Sequence, residues 1–228
     1  MLMVTASKRL VPVLSLLLLV LGLSLAIYAG DYKPPDLPQV FHANTYPIHE
    51  SHDNERVAIA IDPYFAPDKA DLLHVPYRKH DLLPVRLIIT NDGNQPVSLH
   101  DLKIEFITAH NEKQEPARTE DIQRRLANQP RTQTTTPPLP LPIPRKSKGR
   151  VSGSTQDEID YLQFKARAVE AHSTQSGFLF FDTSGMSDPL SGSHIYISGL
   201  RNGDGQELFY FDLPLRKGPA NQDTPVVP

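Results

Sequence analysis

The sequence predicts an all-β protein made of antiparallel strands, and three features carry that prediction. First, residues 83–106 contain two apolar runs on either side of the polar break 91–94, in which Gly93 can adopt the positive φ of a tight turn. Second, apolar side chains alternate within both runs, so each strand would turn one face to a core. Third, the 22 prolines in 228 residues favour turns, strand edges and linkers over helices.

Five further segments have strand character, because each alternates polar and apolar side chains or forms a short apolar run. They are residues 55–61, 161–166, 177–181, 194–200 and 207–213. The last two flank the sequence Arg-Asn-Gly-Asp-Gly at 201–205, which is typical of a hairpin turn. About seven strands without long helices between them predict an immunoglobulin-like two-sheet antiparallel sandwich.

Residues 1–30 are predicted to form a hydrophobic helix that serves as a signal peptide or an N-terminal membrane anchor. Lys8 and Arg9 precede the apolar run 10–27, and a basic pair in this place directs the following chain across the membrane. The run exceeds the usual signal-peptide core of about 7–15 residues and approaches the length of about 20 residues that spans a bilayer. Cleavage near Ala26 or Ala29 and retention as an anchor are both compatible with this length. Either outcome predicts export.

The rest of the chain is predicted to divide into a tether, one domain and a tail. Residues 31–54 are rich in proline and polar side chains and have no periodicity, so they are interpreted as a tether. The domain covers 55–216 and contains an insertion at 117–150. In this insertion Thr119 begins a predicted surface helix, and the prolines at 137–144 favour an extended polyproline II spacer or an interaction motif. Residues 217–228 are predicted to be a flexible tail.

Two stretches resemble uncharacterised bacterial exported immunoglobulin-like domains. LPVRLIITNDGNQPVSL is similar to their strand–turn–strand unit, and FKARAVEAHSTQSGFLFFD is similar to a later pair in which a polar turn leads into a Gly-Phe-rich strand. The resemblance implies an exported β-sandwich, and neither stretch contains a catalytic motif. The chain has no Cys and no Trp, so it lacks the hallmarks of antibody domains.

Composition excludes several classes of function. The 23 Lys and Arg against 26 Asp and Glu give a net charge of −3, which offers no basic excess for nucleic acid. The absence of cysteine excludes disulfides, thiolate metal sites and cysteine nucleophiles. The sequence also contains no GxSxG serine motif and no glycine-rich phosphate loop. The protein is therefore expected to be non-catalytic and to use no cofactor.

One short segment offers weak candidates for metal ligands, namely His42, His49, His52 and Asp53. Imidazole and carboxylate groups bind zinc. However, the sequence His-Glu-Ser-His at 49–52 is one residue short of the HExxH pattern that places two histidines on one helical face. A solvated tether is the favoured interpretation, and a ligand- or metal-binding envelope protein that uses 42–53 is the alternative.

The predicted function is that of a non-catalytic module of the cell envelope, anchored in the inner membrane by 10–27 and facing the periplasm, or secreted. It would act through contact with an envelope protein or through self-association. Sheet edges are one route to such contact, by strand addition, and the exposed aromatics Tyr196, Phe209 and Phe211 are the candidate contact residues. One face of the hairpin that carries them must belong to the core. A hydrolase is a less favoured third possibility.

Overall fold

A computed structural model describes residues 32–127 and 151–216. The predicted signal or anchor segment 1–30, the proline-rich stretch 137–144 and the predicted tail 217–228 lie outside the described residues. Within the two described ranges no helix is both long and apolar enough to cross a bilayer.

The described residues are mostly β, as predicted, with few helices. In chain order the elements are β1 (His49–His52), β2 (Val57–Pro63), α1 (Pro67–Ala70), β3 (Leu82–Asn91), β4 (Val97–Ser98), β5 (Lys103–Ile107), β6 (Lys113–Gln114), α2 (Thr119–Ala127), α3 (Gly153–Leu162), β7 (Ala168–Val169), β8 (Ser173–Asp182), β9 (His194–Ser198) and β10 (Phe211–Pro214). Two 3-10 turns lie at Ala43–Thr45 and Tyr77–His80.

The strands form two four-stranded sheets and one small two-stranded sheet. The first sheet has the order β1-β2-β3-β8, the second has the order β10-β9-β5-β6, and β4 pairs with β7. All of these pairings are antiparallel. β1 lies within the stretch predicted to be a tether, so that prediction is wrong for residues 49–52. Their backbone continues the sheet, with His49 opposite Ala60 and His52 opposite Val57.

The two large sheets share one hydrophobic core. The apolar side chains that alternate along β2, β3, β5, β8, β9 and β10 belong to a single buried cluster. The rings of Phe106 in β5 and Phe181 in β8 stack across the cluster with their centroids 5.2 Å apart. The period-two pattern of the sequence thus corresponds to two sheets whose apolar faces meet.

Helices cover the other face of the first sheet. Ile122 of α2 and Ile159 of α3 are buried in a second cluster with Phe178 and Phe180 of β8. The predicted helix at 119 is confirmed as α2. The predicted strand 161–166 is wrong at its start, because α3 continues to residue 162. Ser152 is the N-cap residue that precedes α3, and its hydroxyl oxygen accepts a hydrogen bond from the Thr155 amide at 3.2 Å, which is a typical helix cap.

The outer edge of β8 is covered by two other segments of the chain. The Phe164 amide donates to the carbonyl oxygen of Phe178 at 3.0 Å, and the Ala117 amide donates to that of Phe180 at 2.7 Å. Gly177 allows this approach, because a Cβ atom there would lie 2.5 Å from the Cα of Phe164. The chain after α3 therefore contacts β8, although not as the strand that the sequence predicts.

The polar break at 91–94 is fixed by one buried side chain. Asn91 is 1% exposed. Its Nδ2 donates to the carbonyl oxygens of Gln95 at 2.8 Å, Val169 at 3.0 Å and Glu170 at 3.2 Å, and its Oδ1 accepts from the Gly93 amide at 2.9 Å. The amide group therefore joins the turn after β3 to the β7 segment, and all its polar atoms are used.

We expect Asn91→Ala to lower the free energy of unfolding by about 2–4 kcal/mol, because buried carbonyl groups would lose their partner. Urea denaturation measures the loss. Asn94→Ala is the matched control, since the Asn94 side chain is exposed and its Oδ1 lies 3.1 Å from His172 Nε2 at the surface. A surface change of this kind costs about 0.5 kcal/mol or less. Equal losses in the two variants would contradict the role assigned to Asn91.

Candidate functional site

The four candidate metal ligands do not form one site. His42 Nε2 lies 3.0 Å from a carboxylate oxygen of Asp92, and His49 Nδ1 donates to the Tyr46 carbonyl oxygen at 2.6 Å. His42, His52, Asp53 and Asp92 share the lining of a cavity of about 230 Å³. Arg56 lines the same cavity, and its positive charge opposes a cation there. Across residues 32–127 and 151–216, no three His, Asp or Glu side chains are placed to hold a metal ion.

The predicted aromatic residues occupy different environments. Phe211 is fully buried in the core shared by the two sheets, so it is not a contact residue. Phe209 is 73% exposed, and the neighbouring Tyr210, which sequence reasoning missed, is 54% exposed. The ring centroid of Tyr210 lies 5.0 Å from that of Tyr196 on β9. Tyr196, Phe209 and Tyr210 are called the aromatic patch below.

Tyr210 was missed because the predicted strand 207–213 does not exist as one unit. The strand β10 begins only at Phe211, and the Leu208 amide instead donates to the Leu200 carbonyl oxygen at 2.8 Å. The two buried side chains, Leu208 and Phe211, are three residues apart. Strict alternation cannot describe that spacing, and both intervening aromatics are left in solvent.

Two carboxylates, one on β1 and one in the turn between β1 and β2, hold the backbone that carries the patch. Glu55 Oε1 accepts from the Phe209 amide at 2.8 Å, and Glu50 Oε2 accepts from the Asp212 amide at 2.8 Å. Glu50 belongs to β1, whereas Asp212 belongs to β10 of the second sheet. Bonds from an amide to an ionised carboxylate are among the stronger hydrogen bonds in proteins. They therefore join the two sheets at this side.

His52 lies between the same two carboxylates. Its Nε2 is 3.1 Å from Glu50 Oε1 and its Nδ1 is 3.1 Å from Glu55 Oε2. The imidazole stacks on Phe211 with centroids 4.0 Å apart and meets Phe209 edge-on at 6.5 Å. Both ring nitrogens of His52 therefore lie within hydrogen-bonding distance of a carboxylate oxygen. Glu50, His52 and Glu55 are called the carboxylate seam below.

The seam also blocks one route to partner binding. In an edge strand, alternate N–H groups point outwards and are available to another chain. Here Glu50 occupies the N–H of Asp212, and Pro214, on the same side two residues later, has no N–H. β10 is therefore poorly suited to strand addition, and a contact at this side of the molecule would be made by side chains.

A second candidate site lies at the face of the first sheet that the helices cover. It is a cavity of about 330 Å³ beside α1 and the turn Tyr77–His80, with a lining that is mostly apolar. Its lining residues are Tyr64, Pro67, Ala70, Asp71, Leu73, Val75, Pro76, Tyr77, Arg78, Lys79 and Pro84. Burial raises the pKa of the Tyr64 phenol, and the nearby Arg86 guanidinium acts in the opposite direction.

Helix α3 fixes one wall of this cavity through a buried acid. The side chain of Glu158 is 1% exposed. Its Oε1 accepts from the Val75 amide at 3.0 Å, and its Oε2 lies 3.2 Å from His74 Nδ1. Because a buried carboxylate needs such partners to offset its desolvation, Glu158 and the loop at 74–75 hold each other in place.

The chain matches no protein-family model and no curated protein. Among solved structures, it is similar to a Northeast Structural Genomics Consortium target solved by X-ray crystallography. The two are 12% identical with a TM-score of 0.30, and the match covers 70% of this chain and 86% of the other. The assignment of function therefore rests on the residues of the chain itself.

We expect His52→Ala to lower the free energy of unfolding by about 2–3 kcal/mol, because it removes packing on Phe211 and leaves two acids facing one another. Urea denaturation at neutral pH measures the change. His49→Ala, at the other end of the same strand, removes one surface hydrogen bond and is expected to cost less than about 1 kcal/mol. A His52 variant as stable as the His49 variant would show that the seam does not join the sheets.

The raised pKa of Tyr64 predicts a loss of stability in alkali. An unfolded tyrosine ionises near pH 10, so above that pH the unfolded chain releases its proton first and becomes favoured. The contribution is complete below about pH 10 and is lost as the pH rises towards the pKa of the folded state. We expect Tyr64→Phe to flatten the fall of unfolding free energy between about pH 9 and 11. A fall that is as steep in Tyr64→Phe as in the wild-type protein would refute the assignment.

Proposed function

We propose that this protein is a non-catalytic component of a cell envelope, membrane-anchored or secreted, whose immunoglobulin-like module acts through protein–protein contact or self-association. The strand orders support the fold. β2, β3 and β8 take the positions of the first, second and fifth strands of an immunoglobulin sheet, and β5, β9 and β10 take those of the third, sixth and seventh in the facing sheet.

Export is supported by the sequence of the N-terminal segment. Lys8 and Arg9 stand directly before the apolar run 10–27, the arrangement that translocates the chain on its C-terminal side. In the proposal, this run either anchors the protein in the inner membrane with the module facing the periplasm or is removed on secretion.

The contact surface is proposed to be the aromatic patch. The observation that carries the proposal is that Phe209 and Tyr210, 73% and 54% exposed, are consecutive on a backbone that the carboxylate seam holds in place. Aromatic side chains are enriched among the residues that dominate binding energy. A fixed backbone reduces the entropy lost when they are covered.

The alternative, an envelope protein that binds a metal or ligand through 42–53, has less support. The side chains of His42, His52 and Asp53 do line a common cavity, but Arg56 lines it as well. His52 is also engaged by Glu50 and Glu55. A cation would have to compete with those contacts and with the guanidinium.

The proposal is tested by affinity capture of the full-length chain from cross-linked membranes, with mass spectrometry of its own N-terminus and of the captured proteins. We expect stoichiometric envelope partners or further copies of the chain. Phe209→Ser/Tyr210→Ser should reduce capture more than tenfold, because hot-spot aromatics each contribute about 2 kcal/mol or more.

Tyr161→Ser is the matched control, since Tyr161 is 56% exposed on α3, at the other face of the first sheet. It should leave capture unchanged. A partnerless monomer would contradict the contact function. Equal losses in the patch variant and the control would contradict the choice of surface, and the mass of the N-terminus distinguishes an anchored from a secreted protein.

A further inference from the structure

The cavity beside α1 has the size and lining of a small-molecule site. Its volume of about 330 Å³ lies at the lower end of the range of about 300–1,000 Å³ found for ligand pockets. Its inner wall is formed by buried apolar groups, chiefly those of Tyr64, Leu73, Tyr77 and Pro84. Such a wall recognises an apolar chain rather than a polar ring or sugar, because it contributes burial and few hydrogen bonds.

The exposed rim of the cavity carries two cations. Arg78 and Lys79 are consecutive and exposed, and both line the cavity. The guanidinium of Arg78 lies 4.2 Å from the ring centroid of Phe65, a contact that orients the charge. Within the part of the chain that the structure describes, no carboxylate lies within 4 Å of either cation. Asp71 also lines the cavity, which leaves a net charge of +1 on its lining.

The wall of the cavity that the loop at 74–75 forms is held in place without a ligand. Glu158 fixes the loop through the Val75 amide and His74, as described above. A cavity whose walls are fixed before binding costs a ligand less ordering entropy than a loop that must close. The fixing of this wall does not depend on the charges of Arg78 and Lys79.

We propose that this cavity binds an amphipathic carboxylate, a free straight-chain fatty acid whose chain enters the apolar interior and whose carboxylate meets Arg78 and Lys79. The guanidinium fork matches the geometry of a carboxylate, and the ammonium group adds a second charge-assisted hydrogen bond. The site lies away from the aromatic patch, so its function does not depend on the proposed contact surface.

The experiment uses photo-crosslinking of the full chain with a diazirine-bearing decanoate, followed by peptide mapping. We expect adducts within residues 64–84. Competition by hexanoate, octanoate and decanoate should strengthen about fourfold for each added CH₂ group, because each buried CH₂ contributes that factor. Decanol should compete at least tenfold more weakly than decanoate, because it carries no charge for the rim.

Two variants test the apolar interior and the charged rim of the cavity separately. Ala70→Phe fills the cavity from α1 and should abolish labelling of 64–84 while the melting temperature is retained. Arg78→Gln/Lys79→Gln should leave competition by decanol unchanged. It should weaken competition by decanoate until the two compounds compete equally. Lys103→Gln removes one exposed positive charge from β5 and serves as the control that should bind as the wild type does.

Several outcomes would overturn the proposal. Labelling confined to the apolar run 10–27, or labelling of 64–84 that persists in Ala70→Phe, would show that the acyl chain does not occupy this cavity. Equal competition by decanoate and decanol in the wild-type chain would show that the rim does not recognise a carboxylate. None of these results bears on capture of partners through the aromatic patch, so the two proposals fail separately.

Discussion

The burial of β3 on both faces is the constraint on which the rest of the structure depends. All ten residues of Leu82–Asn91 are buried, so a single facing sheet is not sufficient to cover them. Alternate side chains such as Leu87 face the core shared with the second sheet. The opposite set faces two other covers: Leu82 lies in the cluster beneath α2 and α3, and Ile88 lies in a cluster formed with Ala43. The helices and the N-terminal stretch are thus parts of the domain that a central strand requires.

This requirement explains why residues before β1 are ordered into the fold despite their polar and proline-rich composition. The buried Arg86 donates from Nη1 to the Pro38 carbonyl oxygen at 2.9 Å, and the Ala43 amide donates to the Thr90 hydroxyl at 3.0 Å. Two polar side chains of β3 thereby fix the backbone of the segment that covers them. Buried polar groups need such partners, and a segment without periodicity can supply them through its backbone alone.

The sequence predicts the strands that alternate and fails where tertiary contacts decide. β2, β3, β5 and β9 follow from period two because the alternate side chains of each strand belong to the core that the two sheets share. The period-two rule could not detect the helix that ends at Leu162. Ile159 and Leu162 lie on one face of a helix because they are three residues apart, whereas a strand over 161–166 would group residues that are two apart. Of the aromatic residues predicted to be exposed, Phe209 is exposed and Phe211 is buried in the core, and the exposed Tyr210 was missed. Glu55 and Glu50, distant in sequence, accept hydrogen bonds from the backbone around the start of β10, and no local pattern contains those contacts.

The way in which the sheet edges are covered has a consequence for recognition. Glu50 and Pro214 obstruct the edge of β10, and Phe164 and Ala117 occupy carbonyl groups along β8. Main-chain pairing at these edges would recognise almost any extended peptide, because backbone hydrogen bonds carry little sequence information. At these two edges the proposed contact would therefore be made by side chains, and side-chain recognition depends on shape and charge. In the proposed contact, the Glu50 bond that helps to join the sheets would therefore also disfavour unspecific main-chain pairing at β10.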